Sequence, residues 1–379
     1  MGSKRLKQCA FGSLILLLAV LAIATVIEKL SGTETAHRYI YGAWWFAGVW
    51  MLFGVSSFVY IFRRKLYRRP AVFLLHCAFG LILIGALVTF TTAERGYLHL
   101  RQGETANRYS PEDGTAEKPL PFDVKLVLFD IEYHPGSHDP ADYISFLKVN
   151  DDIHRVSMNN IYRQSGYRLY QMDYDRDEMG SLLLVSHDPW GIGITYSGYL
   201  LLALSMIGLL LLRIGWKGML FTVIPTAAVW FYISRINPMT PVLRTPMLAA
   251  HVSVIMVSYA LLVFMAVTGV IGLASSKRRE KMYRWNSKLI YPALFLLAAG
   301  IFIGAVWANI SWGRYWGWDA KETWALITML LYAVPLHKES LPGFRNPRTF
   351  LLFCTAAFLA VAMTFFGVTY LLGGIHSYV

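Results

Sequence analysis

The chain has 379 residues, of which 56% are hydrophobic and only 15% charged. That balance excludes an ordinary soluble domain and points to a polytopic membrane protein. Lys and Arg exceed Asp and Glu by 12, but most of them flank apolar runs, so the excess reads as membrane topology and not as a nucleic-acid surface.

Nine apolar runs are long enough to be read as crossings, at about 11–27, 41–62, 71–92, 194–212, 218–234, 248–274, 289–307, 323–337 and 349–372. The run at 323–337 is short, and those at 194–212 and 218–234 are nearly continuous across Arg213–Lys217. The first run lacks a small-x-small cleavage site before Glu28 and is expected to remain as a helix. With the N-terminus in the cytoplasm, the inner segments hold nineteen Lys and Arg, among them Arg63, Arg64, Arg68, Lys277, Arg278 and Arg345. The short outer segments hold six: Lys29, Arg38, Arg235, Arg244, Arg314 and Lys321. This asymmetry predicts an inward N-terminus and an outward C-terminus.

Between the third and fourth runs lies a polar segment, about 93–193, expected outside. It alternates at 122–133, 143–149, 167–174 and 181–186, with Gly and Pro as punctuation, and predicts a small antiparallel β domain. Its histidines (His99, His134, His138, His154 and His187) show no metal-ligand spacing and read as surface residues. The fold class expected is therefore an all-α polytopic membrane protein of about nine helices with a small extracytoplasmic β-rich domain. Cys9, Cys77 and Cys354 form no CxxC and imply neither a disulfide framework nor a thiol-redox site.

Residues 307–324, WANISWGRYWGWDAKETW, follow the seventh run and should lie on the outer side. Five of the twelve tryptophans are here: Trp307, Trp312, Trp316, Trp318 and Trp324, with Arg314, Asp319, Lys321 and Glu322 among them. An interfacial aromatic belt takes one or two rings per helix end. Five rings and four charges in one loop suit an apolar platform with a charged rim, apt for a large planar ligand with an anionic edge. Haem, with its two propionates, is such a ligand.

Four histidines lie in or beside membrane segments, where an imidazole facing lipid is costly. His76 and His337 fall at the inner level, His251 and His376 at the outer level. Each is either a hydrogen-bonded structural residue or one of two axial ligands to a haem iron. Their division into two layers favours the second reading.

These residues carry a resemblance. WGRYWGWDAKETWALIT at 312–328, GVTYLLGGIHSY at 367–378 and MLAAHVSVIMVSYA at 247–260 resemble the tryptophan-rich (WWD) proteins of system II cytochrome c biogenesis, the CcsA type. FLLHCAFGLILIGAL at 73–87, SGYRLYQMDY at 165–174 and SHDPWGIGITYSGYLLL at 186–202 resemble their ResB, or CcsB, partner. The chain thus resembles a fused cytochrome c synthetase, with an outer domain smaller than in many relatives. The resemblance implies ResB-like helices at 1–92, the β domain at 93–193, a fourth ResB-like helix and junction at 194–216, and a CcsA-like domain at 217–379. It implies a multi-pass protein of the bacterial cytoplasmic (inner) membrane. It implies haem b as ligand and substrate, carried from the inner side and joined through its vinyl groups to the CxxCH cysteines of apocytochrome c. Partners implied are haem, apocytochrome c, thiol reductants and membrane lipid, with no nucleic acid.

On that resemblance His76 and His337 are the transmembrane iron ligands, and His251 and His376 the outer ones. Trp312, Trp316, Trp318 and Asp319 would form the catalytic surface, and Trp307 and Trp324 would help to bind haem. Arg314 and Lys321 are candidate propionate partners, while Asp319 and Glu322 hold those cations or the loop. Two other readings share the histidine layers: a bis-histidine membrane cytochrome b that moves electrons, and a haem exporter without ligase activity.

Overall fold

The computed structural model describes residues 3–136, 138–236 and 245–372. Seven helices among the described residues are long and apolar enough to cross a membrane. They include α1 (Ser3–Ser31), α3 (Trp44–Arg63) and α4 (Pro70–Thr92), with a short α2 (Thr33–Ala36) and a π-turn (His37–Tyr41) between the first two. After the β domain come α5 (Gly191–Ile236), α6 (Pro246–Ala274), α7 (Ser276–Trp312), α8 (Ala320–Ala333) and α9 (Pro347–Ala362), which runs on as a π-type helix to Leu372.

All nine expected runs are helical, but they form eight helices, seven of them long enough to cross a membrane. The fourth and fifth share α5, where Gly215 at φ 68° and ψ 179° takes the backbone out of helix between two helical stretches. Only glycine adopts that conformation freely, so the boundary falls at Gly215, between Arg213 and Lys217. The eighth run is the 14-residue α8, closed by a 3-10 turn at Val334–His337. Pro335 lacks the N–H that a further α-helical turn needs.

The polar segment folds as eight antiparallel strands in one sheet, ordered β5-β4-β3-β2-β1-β8-β7-β6. They are β1 (Glu94–Arg101), β2 (Thr105–Pro111), β3 (Lys118–Tyr133), β4 (Pro140–Val149), β5 (Asp152–Ser157), β6 (Tyr162–Gln164), β7 (Tyr167–Tyr174) and β8 (Gly180–His187). In β3 burial alternates residue by residue, the period-two pattern of a half-buried strand. The sheet curls so that Val124 and Leu126, Leu147, Val156, Leu169 and Leu183 share one core. Ser145 donates to Gln171 Oε1 at 2.6 Å and its Oγ lies 2.7 Å from Ser181 Oγ, tying β4 to β7 and β8.

α4 leads into β1 and β8 into α5, so both helices meet the sheet at one end of the bundle. They pack closely because small residues face each other: a Cβ on Gly198 would lie 3.0 Å from Ile82 N. A second apolar core joins α6, α7, α8 and α9 through Leu262, Leu297, Tyr332 and Leu351.

Candidate functional site

At the sheet end, α7 stops at Gly313, whose φ of 74° turns the chain into the Trp-rich loop. α8 then starts under Asp319, whose Oδ1 accepts from Lys321 N at 2.8 Å as an N-cap. Glu322, three residues on, accepts from Gly317 N at 2.9 Å. This is a capping box displaced by two residues, since the ordinary form returns to the N-cap itself. Asp319 and Glu322 therefore hold the loop by its backbone.

Trp318 sits in the left-handed region at φ 57°, an outlier for a bulky residue. Aromatic packing holds it there. Its ring stacks on Tyr41 at 5.2 Å and 6°, and meets Phe46 edge-on at 5.0 Å and Trp316 at 5.8 Å. His37 bonds through Nε2 to Gly317 O at 3.0 Å and packs edge-on against Tyr41. Burial, then the Arg314 charge, lowers the His37 pKa, so the ring is the neutral donor at pH 7.

The five tryptophans do not form one flat platform. Trp307 and Trp312 cross at 88°, and Trp316 and Trp318 at 80°. Trp324 points back into the bundle, donating from Nε1 to Thr25 Oγ1 at 3.2 Å. In place of the platform expected from composition there are two edge-to-face pairs, the geometry that ring quadrupoles prefer. Among the described residues the buried Nε1 atoms of Trp307 and Trp316 have no acceptor.

The β domain docks on this loop. Gly313 lies under Tyr170 and Leu184, where a Cβ would come within 2.9 Å and 3.0 Å. Arg168 and Tyr196 both donate to Asn309 Oδ1, at 3.0 Å and 2.9 Å. Arg314 pairs with Glu112 at 3.8 Å. Tyr315 donates to Thr89, which donates to Asp188 Oδ2; Asp188 Oδ1 in turn accepts from Gly191 N at 2.8 Å. Lys321 is half-buried, which lowers its pKa, while Asp319 acts in the opposite sense.

His251 lies on the first turns of α6, bonded through Nδ1 to Gly300 O at 2.7 Å. Its ring fills the space that a Cβ on Gly304 would take, about two turns along α7 from Trp312. His376 lies outside the described residues.

At the far end of the bundle, His76 is about 24 Å along α4 from Thr92, at 1.5 Å per residue. The structure brings it to His337, with ring centres 6.0 Å apart and ring planes at 81°. Each ring binds a carbonyl of its own element through Nδ1, His76 to Val72 at 2.7 Å and His337 to Ala333 at 3.0 Å. Nδ1 is then the N–H donor and Nε2 carries the lone pair, the arrangement of a metal-ligating histidine. His251 shares this Nδ1 anchoring, whereas His37 commits Nε2 to the backbone.

Sequence reasoning missed His37 and Tyr41, which clamp the loop from the first helical pair. It also missed Arg95, Glu112, Arg168 and Asn309 at the sheet junction. The signal available for the first two was the aromatic density of HRYIYGAWW at 37–45.

The fold defines a polytopic membrane protein with a β-rich domain at one end of its helices. Residues 190–376 match the family model described as cytochrome C assembly protein, and residues 63–196 match the ResB-like family. The chain is similar to Protein NrfI of Wolinella succinogenes, 34% identical over 229 residues, covering 48% of this chain and 25% of the relative. It is also similar to the cytochrome c biogenesis protein CcsA of Chlamydomonas reinhardtii, 33% identical over 157 residues, 38% of this chain and 44% of that one. With CcsA of Hordeum vulgare it is 40% identical over 99 residues, 26% of this chain and 30% of that one. The chain thus spans less than half the length of these relatives. It belongs to the system II cytochrome c biogenesis proteins, with a ResB-like part fused to a CcsA-like part.

Proposed function

We propose that the chain is a cytochrome c synthetase whose substrate is haem b, taken up at the His76–His337 end and presented at the Trp-rich loop to apocytochrome c. The distribution of Lys and Arg supports an orientation in which the His76–His337 end faces the cytoplasm and the loop and β domain face outward. The observation that carries the reading is the paired imidazoles at one end and the aromatic cluster at the other. Two imidazoles on one metal atom, at roughly 2 Å per bond, have ring centres roughly 6 Å apart, and those of His76 and His337 are 6.0 Å apart. The residues at the loop also suit the ligand. Unpartnered indole N–H groups on Trp307 and Trp316 suit acceptors on a planar molecule's edge, and His251 lies two turns below as an axial ligand. His376, outside the described residues, would supply the second outer ligand.

Each thioether forms by adding a cysteine S–H of CxxCH across a vinyl C=C. Sulfur bonds one carbon, hydrogen goes to the other, and nothing leaves. The chain needs no nucleophile of its own. Its contribution is orientation: Trp312, Trp316 and Trp318 wall the site, while Asp319 and Glu322 fix the loop that carries them. External thiol reductants keep the incoming cysteines reduced. Because the candidate ligands sit on separate elements, a permanently bound electron-carrying haem is the weaker reading.

The test is haem loading. His76→Ala and His337→Ala should each lower haem at the loop end although its residues are intact, and added imidazole should restore part of it by refilling the axial position. Normal loading in both variants would make the far-end pair structural.

A further inference from the structure

At the junction between β domain and loop, three arginines, Arg95, Arg168 and Arg314, lie near two carboxylates, Glu112 and Asp188. Arg95, on β1, lies among Arg314, Glu112, Tyr315 and Asp188. Glu112 donates from its backbone N to Arg95 O at 3.0 Å, while its side chain faces Arg314 at 3.8 Å. Asp188 is already engaged, one oxygen with Thr89 and the other with Gly191 N. Among the described residues no carboxylate lies within ion-pair distance of Arg95, and its buried Nε has no hydrogen-bond partner. Arg168 nearby spends a guanidinium N–H on a neutral amide oxygen, that of Asn309, whose own buried Nδ2 is unpartnered. A half-buried guanidinium with no carboxylate at ion-pair distance is held at a cost, and orphaned buried donors in a native fold call for an explanation.

We propose that Arg95 and Arg314 form a carboxylate-binding pair at the sheet–loop junction, and that they hold the two propionates of the haem substrate. This rests on the reading of the chain as a haem-handling synthetase. It gives the ResB-like half a direct part in the substrate site, because Arg95 comes from β1 and Arg314 from the loop. It also replaces Lys321 as a propionate partner. Lys321 follows the N-cap on α8, whereas both arginines border Tyr315 or Glu112 at the junction. Arginine suits the task, since its fork matches a carboxylate with two parallel N–H···O bonds.

The experiment compares haem with its dimethyl ester, which keeps the ring and iron but has no carboxylates. Binding of each to the purified full chain in nanodiscs is followed by the Soret band, in the wild type and in Arg95→Gln. The wild type should bind haem more tightly than the ester. Arg95→Gln should weaken haem binding about 10- to 100-fold, the range for a hydrogen bond to a charged group, and leave ester binding unchanged. An undiminished preference for haem in Arg95→Gln overturns the assignment. Should that variant misfold, shown by loss of ester binding as well, Arg95→Lys decides: it should lower haem affinity about 10-fold, and a wild-type preference overturns the proposal. Equal binding of haem and ester by the wild type sinks this inference while the synthetase reading stands. Binding of neither sinks both.

Discussion

Trp318 gives the sharpest stability test, because its backbone and side chain pull in opposite directions. Its φ of 57° costs about 1–2 kcal/mol for any residue with a Cβ. Its ring recovers more than that, stacking on Tyr41 and meeting Phe46 and Trp316 edge-on. Each such pair is worth about 0.5–1.5 kcal/mol beyond area burial. Trp318 is half-buried, so truncation to Ala should cost about 2–3 kcal/mol, below the range for a fully buried tryptophan. Trp318→Gly loses the same ring but escapes the backbone cost. It should therefore be more stable than Trp318→Ala by about 1 kcal/mol, reversing the usual order of the two residues. Thermal unfolding followed by a thiol-reactive dye reads this in a Cys9→Ser, Cys77→Ser background, since Cys354 is then the one thiol and is fully buried until the helices separate. If Trp318→Ala proves equal to or more stable than Trp318→Gly, the left-handed clamp is wrong.

Two further outcomes follow from the same loop. His37 has a lowered folded pKa, so the unfolded state binds the extra proton first. Its contribution is complete above the ordinary value of 6.5 and is lost as pH falls from there through the lowered folded value. Tryptophan fluorescence of the wild type should change between pH 7 and 5, and His37→Gln, which keeps a donor but does not titrate, should flatten that response; identical curves would remove His37 from the account. Gly313→Ala places a Cβ 2.9 Å from Tyr170 at a positive φ, at a cost of about 1–3 kcal/mol. Limited proteolysis should then cut the loop faster than in the wild type, and an unchanged rate would mean that the sheet does not brace it.

Much of this was legible because each signal was local. Apolar length marked the helices, and alternation marked β3, β4, β7 and β8. β1, β2, β5 and β6 were not foreseen, since strands such as TANRYSP and YRQ carry too little apolar patterning to stand out. The two-layer histidine pattern anticipated the His76–His337 meeting, although the residues are far apart in sequence. The tryptophans read as a flat platform in the sequence, whereas their rings cross at 88° and 80° in two pairs, because composition does not encode ring orientation. His37 and Arg95 were invisible for a different reason: their importance lies in Gly317 O and in the arginines and carboxylates gathered beside Tyr315, contacts that only the folded chain creates.

The central claim is that haem at the loop is a substrate which leaves the protein covalently attached to another chain. The chain is co-expressed with an apocytochrome c bearing CxxCH in a strain lacking its own maturation system. Covalent haem on that substrate is measured against haem that copurifies with the membrane protein. The wild type should yield covalent product, and Trp318→Phe or Asp319→Asn should reduce that product more than they reduce bound haem, because misplacement by about 1 Å can cost ~100-fold in rate. A wild-type chain that retains stoichiometric, redox-active haem and never modifies the apocytochrome would contradict the account and leave an electron carrier in its place.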